Sequence, residues 1–208
     1  MSILSKLSSQ SGDRTEASNK RVAANVLKEP ALLDEIVKGL ASTDAKLAGD
    51  CAEVMTMVAE AQPDLVAPYA DALIAQLAHK NTRVRWEAMH CLAEVAARVP
   101  NKIAPIRRTL DKMIALDKSV IVRDHAIRTL GEYGSTSPAA SRLVWQHLRE
   151  ALVLWDGKHA GKALAAMQKL VDVDATLKPD AQKVARRFVE HKSASVRTAA
   201  KKLLKEAA

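Results

Sequence analysis

Glu87, His90, Cys91 and Glu94 lie within eight residues of one another in the stretch TRVRWEAMHCLAEVA, residues 82–96. Carboxylate, imidazole and thiol groups are the side chains that ligate transition metals and move protons. On a helix, residues three and four apart share a face, so Glu87, His90 and Glu94 would point the same way. Their E-x-x-H spacing is half of a carboxylate di-iron site. That site needs a second E-x-x-H and further inward carboxylates, and no second copy occurs.

The element that carries these residues recurs. Aligning on Val84 brings Leu47, Val122, His159 and Val196 into register, at spacings of 37, 38, 37 and 37 residues. Three residues before each anchor stand Asp44, Asn81, Ser119, Asp156 and Ser193. All five are N-cap types, whose side chains accept from the free N–H groups of a first helical turn. Four residues after the anchors come Cys51, Ala88, Ala126, Ala163 and Ala200. Eight after come Met55, Leu92, Leu130, Met167 and Leu204, and eleven after come Val58, Val95, Tyr133, Leu170 and Ala207. This is the stripe of an amphipathic helix. The small residue at its second position predicts close helix–helix approach.

A second helix follows in each unit: 31–40, 68–77 and 105–114, then approximately 143–152 and 180–189. Pro68 and Pro105 suit a first helical position, where a missing N–H is no loss. Pro63, Pro100 and Pro138 mark the turns between paired helices. No helix pair buries its apolar stripe alone, and stacking neighbours does. The expected fold is all-α, an α-α superhelix (a right-handed solenoid) of about five helical hairpins and a final helix. One solenoid domain is expected over 19–208, in units of approximately 19–40, 41–77, 78–114, 115–152, 153–189 and 190–208. Residues 1–18, rich in Ser, read as an N-terminal cap or a frayed segment.

Val84-Arg85, Val122-Arg123 and Val196-Arg197 each follow a capping residue. Each pair is followed by Ala three residues on and Leu four further. This pattern resembles the HEAT-repeat family, and the resemblance covers roughly residues 19–208. Leu47-Ala48 and His159-Ala160 depart from it by lacking the Arg. The resemblance implies that Arg85, Arg123 and Arg197 bridge neighbouring repeats by pairing with loop acids. It also implies that the second helices line the concave side. It names no activity, because such solenoids serve many roles.

Set against its copies, the opening cluster loses its promise as a site. The positions equivalent to Glu87 hold Asp50, His125, Lys162 and Ala199, and those equivalent to His90 hold Glu53, Arg128, Ala165 and Lys202. Mixed charge of both signs predicts a solvated face, with Cys91 turned toward packing. His79 and His191 share a loop register, and none of the histidines has metal-like spacing with Cys or Asp. No metal and no cofactor is expected. The His-Glu dyads of HEAT-like iron hydroxylases are absent, as are G-x-S-x-G, Walker A and dinucleotide glycine patterns.

Charge points elsewhere. Residues 1–104 carry 12 Lys and Arg against 13 Asp and Glu, and residues 105–208 carry 20 against 11. Along the second helices the outward positions run from Asp71 through Arg108 and Lys112, Trp145 and Arg149, to Lys183, Arg186 and Arg187. A basic groove with an aromatic suits an acidic protein segment or a nucleic-acid strand. The expectation is a non-enzymatic scaffold whose concave C-terminal half binds an acidic protein segment. The alternative is a nucleic-acid-binding protein, related to HEAT-like alkyl-base DNA glycosylases through Asp111, Trp145 and Arg149. Trp155 is expected to pack over a helix start as a staple, and Trp86 to face solvent.

No run of 18 apolar residues occurs, and the N-terminal stretch lacks a secretory h-region. Two cysteines on helices suit a reduced interior. The expected location is cytoplasmic.

Overall fold

The computed structural model describes residues 2–208. Every regular element among them is helical. The α-helices are α1 (Ser8–Ser11), α2 (Ala17–Lys28), α3 (Leu33–Gly39), α4 (Ala45–Ala61), α5 (Pro63–Val66), α6 (Ala70–Gln76), α7 (Thr82–Val95), α8 (Pro100–Leu116), α9 (Val120–Gly134), α10 (Pro138–Ala151), α11 (Ala160–Val173), α12 (Lys178–Arg186) and α13 (Ala194–Glu206). Short 3-10 turns join several of them. The chain divides into two units, Met1–Val99 and Pro100–Ala208.

The anchor stripe is the core of both units. Val84, Ala88, Leu92 and Val95 of α7 are fully buried, as are Val122, Ala126 and Leu130 of α9. Each buried Leu or Val contributes about 1.5–3 kcal/mol over its exposed state. In the first unit α2, α4 and α7 stack in turn, with α3 and α6 packed beside them. In the second unit α9, α11 and α13 stack, and α10 packs against both α9 and α11. Small residues set the approach distances. A Cβ on Gly39 would lie 2.4 Å from the Cys51 sulfur, and one on Gly134 2.7 Å from both Leu170 and Val144.

Prolines act one step earlier than the spacing suggests. Pro100 and Pro138 open the second helices α8 and α10 rather than mark turns before them, and Pro63 opens the one-turn α5 ahead of α6. The first helical position has no intrahelical N–H bond for proline to lose. Pro105 lies inside α8, five residues from its start, and Pro68 sits in a 3-10 turn ahead of α6. Residues 2–11 are packed: Ile3 and Leu7 are buried. Ser8 and Ser9 N–H groups donate to Asn19 Oδ1 (2.9 Å) and Asp50 Oδ2 (2.7 Å).

Three of the five predicted caps accept as expected. Asp44 accepts from Lys46 N–H, Asn81 from Arg83 and Val84, and Ser119 from Val122. Ser193 holds the N-cap position of α13 without accepting from its first turn; its hydroxyl meets Ser195 Oγ instead. Asp156 is not a cap. It stands in a turn with φ 54°, next to Trp155 at 53° and Gly157 at 72°, and α11 begins at Ala160. The cause lies two residues upstream. Ser42 Oγ, His79 Nδ1, Asp117 Oδ1 and His191 Nδ1 each accept the N–H of the cap residue two positions on. The equivalent residue before Asp156 is Leu154, which has no acceptor to hold the extended cap conformation.

The recurrent arginines donate to backbone carbonyls of the loop ahead of their own helix. Arg85 donates to the carbonyls of His79 (2.8 Å) and Lys80 (3.0 Å), and Arg197 to those of His191 (2.8 Å) and Lys192 (3.0 Å). Arg123 donates to the Asp117 carbonyl at 2.6 Å. A planar guanidinium presents several N–H groups in a fixed fork, so it can clasp the carbonyls left free at the end of the preceding helix. Of the two units without their own Arg, the one anchored on His159 borrows one: Arg123 Nε also donates to His159 Nε2 at 2.8 Å, and His159 Nδ1 meets Asp124 at 2.7 Å. Arg123 further lies 3.8 Å over the Trp155 ring, whose N–H donates to the Ile114 carbonyl. Trp155 is thus a half-exposed platform for Arg123, not a staple on the next helix.

Candidate functional site: the basic face of the C-terminal unit

The second helices α8, α10 and α12 carry the predicted surface. Arg108 and Lys112 lie one turn apart on α8, Arg149 near the end of α10, and Lys183, Arg186 and Arg187 at the end of α12. All six are exposed. Among the described residues no carboxylate pairs with Arg108, Lys112, Lys183, Arg186 or Arg187. Arg149 Nη1 meets Asp180 Oδ2 at 3.2 Å.

Trp145 departs from the expectation. It is 7% exposed, and its indole N–H donates to Asp180 Oδ2 at 2.7 Å. Five other residues of α10 are buried with it, because Trp145 falls on the same buried arc as Val144 and Leu148. Its ring is therefore part of the packing under the basic face and offers nothing for a base to stack on. Asp111, Trp145 and Arg149 do not converge either. Asp111 pairs with His147 at 2.6 Å, while Trp145 and Arg149 meet at Asp180. Burial pushes the Asp111 carboxyl above its ordinary value, against the opposing pull of His147.

Beside Arg149 and Arg187 is a notch of about 210 Å³, with Leu152, Val153, Val184 and Phe188 as its apolar walls. Val153 is exposed. The sequence reading missed this feature because Val153 and Phe188 fall outside the helical stripe. The exposed Val153 just beyond α10 is the signal that could have found it.

The opening cluster is rearranged in the first unit. Cys91 is fully buried, and burial pushes its thiol far up; the same effect raises Cys51 to about 12. Glu87 is half-buried rather than solvated, since its register lies on the seam between α4 and α7, where Thr56 Oγ donates to the Glu87 carbonyl. Burial pushes the Glu87 carboxyl up to about 7, with the Glu53 charge adding to it, although the Trp86 N–H donates to it at 2.6 Å. Trp86 is accordingly half-buried and tied down. The equivalent Asp50 is buried as well. Burial would raise its carboxyl, but hydrogen bonds from Ser9 and Arg83 hold it below the ordinary value. His90 and Glu94 remain on one face, joined there by Glu60 from α4.

Comparison with solved structures gives the fold its place. A designed armadillo repeat protein in complex with the peptide (KR)4 superposes with a TM-score of 0.75 at 14% identity, covering 99% of this chain and 98% of that one. A HEAT-like repeat protein from the archaeon Thermococcus onnurineus NA1 gives 0.56 at 12% identity, covering 92% of each. This chain has a HEAT/armadillo-type repeat fold. An engineered protein shares it at a TM-score of 0.71 and 17% identity, covering 100% of this chain and 97% of that one. No family model matches the repeat chain, and no curated protein matches it. Among the described residues no helix is long and apolar enough to cross a membrane.

Proposed function

We propose that the chain is a non-catalytic adaptor whose C-terminal unit binds an acidic protein segment on the face of α8, α10 and α12. The observation that carries this reading is the row Arg108, Lys112, Lys183, Arg186 and Arg187, exposed and without carboxylate partners among the described residues. Elsewhere in the same unit cations do find acids, as Arg142 does with Asp174 at 2.6 Å. Extended or helical segments lie along such faces, and arginine is favoured at interfaces. The apolar notch beside Arg149 and Arg187 has room for one apolar side chain, which would fix the register of the segment. The designed neighbour carries a peptide of alternating Lys and Arg; the charge displayed here has the opposite sign and calls for an acidic ligand.

Nucleic acid is the weaker reading, because the buried Trp145 removes the stacking platform that single-strand binding uses. A labelled peptide of alternating Asp and Glu with one central Leu tests both by fluorescence anisotropy, alongside a single-stranded oligonucleotide. The triple variant K183E/R186E/R187E is expected to lose the peptide by at least about tenfold, a loss of about 1.4 kcal/mol. Unchanged peptide binding in that variant sinks the proposal. So does tighter binding of the oligonucleotide than of the peptide at physiological salt.

A further inference from the structure

In the first unit, two successive stacked helices bring together Glu60, near the end of α4, and His90 and Glu94, one turn apart on α7. His90 Nε2 lies 3.4 Å from Glu60 Oε1 and 3.3 Å from Glu94 Oε1, and all three ligand atoms fall within 4.8 Å of one another. We propose that Glu60, His90 and Glu94 form a binding site for a divalent first-row metal ion of the zinc class, which braces α4 against α7.

The distances suit an ion better than a proton. An N–H···O bond to a carboxylate is about 2.7–2.9 Å long, and one imidazole N–H cannot serve two carboxylates fully. Ligand atoms about 2.0–2.1 Å from a tetrahedral zinc stand about 3.3–3.4 Å apart. Both His90 separations have that value. His90 Nε2 stands within reach of both carboxylates. The donor set of one nitrogen and two carboxylate oxygens fits zinc and its neighbours, whereas calcium and magnesium call for all-oxygen shells.

The repeat supplies an internal comparison. In the next repeat the positions of His90 and Glu94 hold Arg128 and Glu132. There the single carboxylate of Glu132 meets two cations, Arg128 at 3.8 Å and Lys169. The first unit differs, with two carboxylates beside His90 Nε2. The site also has an entry side: the Glu60 side chain is 52% exposed, that of His90 26% and that of Glu94 14%. Three protein ligands leave a fourth position open to solvent. The inward pair Glu94 and His90 would hold the ion and Glu60 would close over it from α4.

The test uses the untagged full chain after chelation and dialysis. Zn2+ is titrated by calorimetry, and Co2+ replaces it as a visible-absorption reporter of tetrahedral coordination. One Zn2+ is expected to bind per chain and to raise the melting temperature, with Mg2+ giving neither effect. H90A and E60Q should each weaken Zn2+ binding by at least about tenfold, the scale seen when a metal site loses a supporting group. Glu60 is exposed, so E60Q preserves the fold. H147A, at the separate Asp111–His147 pair, should bind as wild type. Absence of binding by millimolar Zn2+, equal response to Mg2+, or a smaller than tenfold loss in either E60Q or H90A overturns the proposal.

Discussion

Glu87 gives the sharpest test of how the stack of first helices is packed. Its carboxyl ordinarily titrates at 4.5 and is pushed to about 7, chiefly because the α4–α7 seam excludes water from it. A carboxyl raised in the folded state favours the fold while it is protonated and disfavours it once ionised. Stability from this group is therefore highest below about pH 4.5, falls as pH rises through the interval to about 7, and stays low above it. At about 1.4 kcal/mol per pH unit, the full penalty above pH 7 is at most about 3.5 kcal/mol. Glu87→Gln keeps the shape and an oxygen for the Trp86 N–H at 2.6 Å, but cannot ionise. Urea unfolding of both proteins at pH 5 and pH 8 measures the effect. The variant should equal or trail wild type at pH 5 and exceed it by up to about 3.5 kcal/mol at pH 8. At about 2–4 °C per kcal/mol for a chain of this size, the gain in melting temperature at pH 8 is up to about 7–14 °C. The Trp86 indole proton, followed by NMR, should shift in wild type with a midpoint near 7. A stability difference that is the same at both pH values would refute the claim that this seam is dry.

Four further outcomes follow from the repeat geometry. Asn81→Ala removes the acceptor for Arg83 and Val84 N–H and should cost about 1 kcal/mol in chemical denaturation. Asp156→Gly should be neutral or stabilising by up to about 1 kcal/mol, since Asp156 caps nothing and sits at φ 54°, a region costly for a residue with a Cβ. Gly134→Ala, whose methyl would meet Leu170 and Val144 at 2.7 Å, should cost about 1–3 kcal/mol by overpacking. Gly161→Ala, with nothing nearer than Val196 at 3.6 Å, should be neutral or gain about 0.5 kcal/mol from helix propensity. Melting curves of the two glycine variants side by side check the pair.

Much of the fold was legible because a repeat tests each position several times. Val84, Ala88, Leu92 and Val95 alone could belong to any amphipathic helix, but with four copies in register they mark the core. The caps failed only at Asp156 and in part at Ser193. A cap needs the right residue and also a loop that places it in extended conformation, and Leu154 cannot hold that loop. The polar registers were less legible. Glu87 and Asp50 looked solvated from the mixture of charges in their copies. Their burial comes from how closely α4 approaches its neighbours, and a stripe on one helix does not encode that distance.

The candidate sites divide in the same way. The charge of Arg108, Lys112, Lys183, Arg186 and Arg187 is a property of composition along α8 and α12, and the sequence by itself determined it. So were the helices, their period and their buried stripe, because hydrophobic spacing and capping act locally. Only the tertiary structure decided that Trp145 turns inward to Asp180, because which arc of α10 is covered depends on α12. Only it decided that Glu60, 30 residues from His90 in the chain, joins His90 and Glu94. Helix stacking sets distances between side chains that no local spacing records, and chemistry between repeats depends on those distances.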